Sequence, residues 1–108
     1  MPRSSAANAD VFAALGDRTR LRIVSRLGDG GPSSISKLTE GAGMTRQAVT
    51  KHLRVLERAG LVRGTRQGRE SLWQLEQQRL EQARRYLDII SQQWDSALAR
   101  LKKHVEST

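Results

Sequence analysis

The sequence contains no cysteine among its 108 residues. This absence excludes disulfide bonds, thiolate metal sites and thiol-based redox switches. No apolar run approaches the roughly 18 residues that predict a transmembrane helix. The opening residues, MPRSSAANADVF, also lack the apolar centre of a signal peptide. We therefore expect a cytoplasmic protein.

Catalytic and phosphate-binding motifs are missing as well. Serine, histidine and aspartate occur without a nucleophile motif, and there is no glycine-rich phosphate loop. Because the chain has only two histidines, a dedicated zinc site is not expected. The sequence therefore predicts no enzyme, no metal site and no other cofactor.

Positive charge, in contrast, is abundant: 19 lysines and arginines face 11 acidic residues. Residues 45–73 carry seven of the basic residues and only two acidic ones. Basic charge gathered on one unit is typical of nucleic-acid binding. A merely solvated basic face is the alternative, and charge alone does not decide between the two.

The segment MTRQAVTKHLRVLERAGLV, residues 44–62, predicts a capped helix with two different faces. Thr45 is a suitable N-cap, and Gly60 would end the helix in the left-handed conformation. The residues that recur at helical spacing and should face a core are Val49, Leu53 and Leu56. The other stripe is polar and basic. At roughly 22 Å, the helix is long enough to lie in a DNA major groove.

Shorter elements are predicted around this helix. Residues 8–15 favour a helix, a second helix follows the N-cap Asp17 to about Leu27, and Ser34 caps a third to Glu40. In the second helix, the expected buried positions are Leu21, Val24 and Leu27, with Ile23 beside them.

A basic hairpin is predicted to follow the polar helix. Its strands would cover residues 61–65 and 71–75, and Gly68 at the tip can supply a positive φ. The pattern as a whole predicts a mainly α fold with a small β-hairpin: a winged helix-turn-helix with five helices and a two-stranded wing.

From about Glu76 to Val105 the sequence predicts one long helix. Apolar residues recur every seven positions with others between them, an a/d pattern sustained for over three heptads. Such a helix exceeds what a small core needs, which favours a dimer seam over intramolecular packing. The residues expected at the dimer interface are Val11, Phe12, Leu80, Leu87, Ile90, Trp94, Leu98 and Leu101.

The predicted organisation is a single domain with three parts. Residues 1–7 form a flexible N-terminus, residues 8–75 the winged helix-turn-helix DNA-binding core, and residues 76–108 a C-terminal dimerisation helix. The N-terminal part is assigned on its position at the end of the chain.

Three segments of the chain resemble the ArsR/SmtB family of bacterial winged-helix regulators. They are ALGDRTRLRIVSRL (14–27), MTRQAVTKHLRVLERAGLV (44–62) and RGTRQGRESLWQL (63–75). The resemblance extends over about residues 8 to 105. It implies a homodimer, built from the first and last helices, that binds an inverted repeat in double-stranded DNA and represses transcription.

The resemblance also places the base-reading positions on the first turns of the recognition helix, here Arg46, Gln47, Thr50 and Lys51. Arginine or lysine can pair with guanine, glutamine with adenine, and threonine can meet a thymine methyl. The residues expected to contact phosphates or to act from the wing are Thr45, His52, Arg54, Arg66 and Arg69.

The chain departs from those relatives that sense metals. Residues 34–43, SISKLTEGAG, offer no ligand pair where such relatives place cysteines, and the last helix lacks their paired Asp and His residues. The C-terminal WDSALARLKKHVE is similar to a metal-independent branch of the family. Regulation is therefore left to an unidentified small-molecule effector, a partner protein or the level of the protein itself.

Two other functions stay open. The chain could be a protein-interaction or dimerisation module with only non-specific DNA affinity, or a transcriptional activator. The mixed set of polar residues on the recognition helix argues against the first, since a merely electrostatic surface does not need glutamine and threonine. An activator would use the same DNA contacts as a repressor.

Overall fold

The computed structural model describes residues 3–107, with side chains from residue 6 onward. Its elements are α1 (Arg3–Leu15), α2 (Arg18–Gly30), β1 (Ser33–Ser34), α3 (Ile35–Thr39), α4 (Arg46–Arg58), β2 (Val62–Gln67), β3 (Glu70–Leu75) and α5 (Gln77–Glu106). Helices α3 and α4 form the helix-turn-helix, and β2 and β3 form the wing. The predicted winged helix-turn-helix architecture is confirmed.

Side-chain caps fix where the short helices begin. The Asp17 carboxylate accepts the Arg20 backbone N–H at 3.0 Å, and the Ser34 hydroxyl accepts that of Lys37 at 3.2 Å. Both N-caps were predicted and are confirmed. The hydrogen bond from Arg20 also lowers the pKa of Asp17 below its ordinary value, because it stabilises the charged carboxylate.

The first two helices are longer than predicted. Helix α1 begins at Arg3 rather than Asn8, and α2 continues to Gly30 rather than ending near Leu27. The flexibility assigned to residues 1–7 stays a prediction, and residues 1 and 2 lie outside the described residues.

One core is shared by all five helices and the sheet. Its buried apolar residues are Val11, Ala14, Ile23, Leu27, Leu38, Val49, Leu53, Leu56, Leu61, Val62, Trp73 and Ala83. The prediction for α2 was wrong at Leu21, which is 52% exposed, whereas Ile23 is buried. These two residues lie about 160° apart around the helix, and α2 turns the side of Ile23 and Leu27 inward.

The wing belongs to a three-stranded antiparallel sheet of order β1-β3-β2, not to a two-stranded one. Ser33 pairs with Trp73 and Ser34 with Leu72, while on the other side Gly64 pairs with Trp73. The third strand was missed because two serines carry no apolar alternation. The extra strand anchors the base of the hairpin, since an isolated hairpin is only marginally stable.

Helix α5 projects from the rest of the molecule. Its 30 residues span about 45 Å, and the chain measures 69 × 29 × 20 Å. The radius of gyration is 18.5 Å, against about 13 Å for a compact domain of this size. Only the proximal part of α5 therefore packs on the core, through Leu80 and the buried Ala83.

Candidate nucleic-acid interface

Helix α4 is held at both ends by its own sequence. The Thr45 hydroxyl accepts the backbone N–H of Ala48 at 3.1 Å, which confirms the predicted N-cap. At the other end Gly60 adopts a φ of 79°, and the Leu61 N–H donates to the Leu56 carbonyl at 3.0 Å. This closure is a Schellman motif, which satisfies the free carbonyls of the last turn.

The apolar stripe of α4 faces the core as predicted. Val49, Leu53 and Leu56 are each no more than 1% exposed. With 13 residues, α4 is about 20 Å long. Since its apolar side is fully used by the core, only its polar side is free to meet another molecule.

Four of the five polar residues on the outer face of α4 are exposed. These four are Arg46, Gln47, Lys51 and Arg54, whereas Thr50 is half-buried, and all five line one open depression. The Thr50 hydroxyl donates to the Arg46 carbonyl at 2.8 Å. Its proton is therefore used within the helix, which leaves its methyl group and an acceptor lone pair for a base edge.

The Arg46 side chain lies where three elements meet. Its Nη1 donates to the Ser36 hydroxyl of α3 at 2.8 Å. Arg46 and Arg69 line a cleft of about 230 Å³ with Ser34, Ile35, Ser36, Glu70 and Ser71. Guanidinium and hydroxyl groups are the usual protein partners of DNA phosphates, so the arginine and serine side of this cleft suits a phosphate, whereas the Glu70 carboxylate repels one. Sequence reasoning missed Ser36 and Ser71, because neither has a local signal that links it to Arg46.

Arg54 connects α4 to the wing. Its guanidinium carbon lies 5.7 Å from the centroid of the Trp73 ring, a cation–π distance, and its Nη1 lies 3.2 Å from a Glu57 carboxylate oxygen. Arg54 is nevertheless exposed. It can therefore orient the wing and still reach a phosphate.

His52 lies on the flank of α4 that faces α2. It is half-buried, and its Nδ1 lies 4.0 Å from an oxygen of Asp17. The side chain thus lies beside the N-terminus of α2 rather than among the exposed residues of α4. This placement makes His52 the weakest of the predicted phosphate contacts.

The tip of the wing presents two exposed arginines, Arg66 and Arg69. Gly68 has the predicted positive φ, 61°, and accepts a long hydrogen bond of 3.5 Å from Arg66 Nε. Behind the tip, Gly64 lies against the buried Trp73, whose ring would be 3.2 Å from any added Cβ. The wing is thus packed at its base and free at its basic end.

Arg26 was not singled out from the sequence, yet it holds α3 in place. Its guanidinium donates to the carbonyls of Leu38, Glu40 and Lys37 at 2.8, 3.2 and 2.9 Å. These carbonyls end the five-residue α3, where a cation is favourable. Only the fold brings this arginine to the turn, so no local pattern could have revealed it.

The predicted dimer residues separate into two groups. Val11 is fully buried, and Phe12 and Leu80 pack against the core of the chain itself. Val11 cannot offer surface to a partner, and that prediction is corrected. The five that remain large and exposed are Leu87, Ile90, Trp94, Leu98 and Leu101. We call these five residues the apolar seam.

The described residues hold no group of three or more His, Asp or Glu side chains arranged for a metal ion. No helix in this part of the chain is both long and apolar enough to cross a membrane.

Comparison with known proteins places the chain among transcriptional regulators. A family model for a helix-turn-helix domain matches residues 15–65. The structure of an ArsR-like transcriptional regulator from Rhodococcus sp. RHA1 is 38% identical, with a TM-score of 0.81 and coverage of 92% of each chain. The HTH-type transcriptional regulator Rv2034 of Mycobacterium tuberculosis is 35% identical over 96 residues, 89% of this chain and 86% of its own.

A third similarity concerns the fold alone. The solution structure of the homodimeric winged helix-turn-helix DNA-binding domain Mb0332 from Mycobacterium bovis is 23% identical, with a TM-score of 0.64. It covers 88% of this chain and 87% of the other.

Proposed function

Since the chain belongs to the ArsR family of helix-turn-helix transcriptional regulators, which are DNA-binding proteins and not enzymes, we propose that it is a homodimeric repressor of an inverted-repeat operator. The observation that carries the proposal is that α4 buries its whole apolar stripe and exposes a polar, basic one beside a basic wing.

Base reading is assigned to the first two turns of α4. Gln47 and Lys51 are exposed and suit the edges of adenine and guanine respectively, and the Thr50 methyl suits thymine. Arg46 lies close enough to Ser36 to serve a phosphate instead of a base. Arg54 and the wing arginines supply further phosphate contacts, which position the protein without reading sequence.

The apolar seam supports the dimer. Trp94 and Leu101 are 63% and 59% exposed in the single chain, and such large contiguous apolar surfaces mark interaction sites. A second copy of α5 offers the same apolar stripe, as a two-fold interface requires. The homodimeric state of the structural neighbour from Mycobacterium bovis agrees with this arrangement.

A dimer of this kind would place two copies of α4 in successive major grooves, about 34 Å apart on one face of the duplex. The operator would then be an inverted repeat with half-site centres about 10 base pairs apart. Repression would follow from occupying a promoter and excluding the polymerase. Because its target is chromosomal DNA, the cytoplasm is the expected location.

The test is selection of genomic DNA fragments by the purified protein at physiological salt, where phosphate-only binding is weak. Recovery of one short inverted repeat within promoters supports the proposal. Recovery of unenriched DNA contradicts it and favours the protein-interaction module. The position of the repeat relative to the promoter separates a repressor, which overlaps the polymerase site, from an activator, which lies upstream of it.

Arg46→Ala, measured on the recovered site, decides whether Arg46 reads a base, as the family resemblance implies, or contacts a phosphate, as its hydrogen bond to Ser36 favours. If Arg46 reads a base, the variant loses specific affinity by about 5- to 150-fold, equivalent to 1–3 kcal/mol, with a smaller loss on unrelated DNA. An equal loss on both DNAs makes Arg46 a phosphate contact. Arg100→Ala, an exposed arginine on α5, is the matched control and should change neither affinity.

A further inference from the structure

A second site lies away from the DNA-binding face, between the N-terminal half of α1 and the proximal part of α5. It is a cleft of about 570 Å³, within the usual range for small-molecule sites. Four of its lining residues are polar or charged, namely Asn8, Arg79, Gln82 and Arg85. Tyr86 and Ile89 contribute apolar wall.

Asn8 is the first observation that points to a ligand. It is only 5% exposed, it lines the cleft, and its side-chain amide has no hydrogen-bond partner among the described residues. The amide atoms of Asn8 are not sealed from solvent, so they open onto the cleft and can form hydrogen bonds to a ligand that lies in it.

The charge of the cleft is the second observation. Arg79 has no ion pair within residues 3–107. Arg85 lies 3.7 Å from Glu81, but the same carboxylate also serves Arg84 at 3.8 Å. The cleft therefore carries uncompensated positive charge, and two arginines suit a carboxylate or a similar anion.

The apolar residues of the cleft indicate what the uncharged part of the ligand should be. The Tyr86 ring packs at a tilt on Phe12, with 6.3 Å between ring centroids, which fixes the ring at the floor between α1 and α5. Ile89 is half exposed at the rim. A flat ring or a short chain would cover both side chains while its anionic group lies between the arginines.

The cleft is separate from the apolar seam. The α5 residues that line the cleft lie about 60° to 180° around the helix from the centre of the seam, with a mean of about 115°. A protein surface that covered the cleft would bury two arginines, which is costly unless acidic groups pair with them. A small ligand that carries its own negative charge avoids this cost.

From these observations we propose that the cleft binds a small organic anion, a carboxylate attached to an aromatic ring or a short apolar chain. The amides of Asn8 and Gln82 donate to the ligand, Arg79 and Arg85 bind its carboxylate, and Tyr86 and Ile89 contact its apolar part. Any effect of this ligand on DNA binding would rest on the proposed function, whereas binding itself does not.

The test uses benzoate as the probe and benzamide as its neutral counterpart, added to the full chain without DNA. Amide NMR signals of Asn8 and Gln82 report on binding. The expected result is a saturable shift of these two side-chain signals below about 10 mM benzoate, a range in which even a weak site saturates. Benzamide should bind at least tenfold more weakly.

Arginine variants test where the carboxylate of the probe binds. Arg79→Gln and Arg85→Gln should each weaken benzoate binding by about tenfold or more, which is the loss of a charge-assisted hydrogen bond. Arg84→Gln removes the same charge from the neighbouring position outside the cleft and should leave binding unchanged. The absence of a saturable shift, equal binding of benzamide, or an equal effect of Arg84→Gln would each overturn the proposal. Failure to find an operator would leave it standing.

Discussion

Helix α4 and the distal part of α5 are both amphipathic, yet they leave opposite faces exposed. In α4 the apolar stripe is buried in the core and the polar stripe faces outward. In α5 the large apolar residues from Leu87 to Leu101 face outward, because the described core of the chain does not cover them. The chemistry of each exposed face indicates its partner: a polar, basic face suits DNA, and an apolar face suits another protein surface.

The largest difference between the two helices should appear in their leucines. Leu53→Ala removes a fully buried side chain of α4 and should lower the free energy of unfolding by about 2–5 kcal/mol. Leu98→Ala makes the same change at a 45% exposed position of α5. Chemical denaturation at several protein concentrations measures both variants.

The two losses should also depend differently on concentration. The effect of Leu53→Ala arises within one chain and should be the same at every protein concentration. The effect of Leu98→Ala acts through dimerisation. It should therefore be measurable at high protein concentration, where the dimer forms, and vanish at low concentration, where the chain is a monomer. Identical, concentration-independent losses would mean that Leu98 packs within its own chain, which removes the contrast between the helices.

The next effect comes from placing charge in the apolar seam. Trp94→Glu combined with Leu101→Glu should give a folded monomer, because both side chains are exposed in the single chain. Affinity for the operator should fall by about 100-fold or more, since two linked half-site contacts become one. Sedimentation and DNA titration measure the two consequences.

The matched control for the seam is Gln92→Glu with Ser96→Glu. Both residues are exposed on α5, and both lie on the opposite side of the helix from the seam. The charge change is the same. If this control also dissociated the dimer, net charge and not the seam would explain the result.

Structural features that depend on neighbouring residues in the sequence could be predicted, whereas features that depend on distant residues could not. The caps Asp17, Ser34 and Thr45 and the glycine stop at Gly60 follow from neighbouring residues, and all were predicted correctly. The choice of the inward face of α2 depends on what packs against it. Leu21 was therefore misplaced.

Long-range contacts were the features that the sequence did not reveal. Strand β1 exists because β3 pairs with it, and Arg26 caps a helix twelve residues away. The heptad pattern predicted α5 as a whole, but it could not separate residues that pack inside the chain, such as Leu80, from those that remain exposed. Only the folded core sets that boundary.

A smaller effect is expected at the wing. Arg66→Ala combined with Arg69→Ala should weaken binding to all DNA sequences alike and reduce the slope of log affinity against log salt by about 2, or 0.9 for each lost phosphate contact. The control, Arg100→Ala with Lys103→Ala on α5, removes the same charge. A loss confined to the operator would instead mean that the wing reads sequence.

The smallest effect concerns the N-cap beside α4. The pKa of Asp17 is lowered by the Arg20 N–H, so its stabilising contribution is present above its ordinary value of 3.8 and is lost as the pH falls through the lowered pKa. An asparagine side chain at this position would still cap α2 without titrating. Asp17→Asn should therefore lose less stability than the parent chain between neutral and acidic pH. Equal losses in denaturation experiments would contradict the role of this carboxylate.

One measurement tests DNA binding by α4 and dimerisation through α5 together. It is a hydroxyl-radical footprint on the recovered operator with the intact protein and with the Trp94→Glu, Leu101→Glu variant. The intact protein should protect two symmetry-related segments about 10 base pairs apart, and the variant should protect neither segment at the same concentration. A single asymmetric footprint from the intact protein, unchanged in the variant, would contradict the claim that α4 binds DNA as one half of a dimer joined through α5.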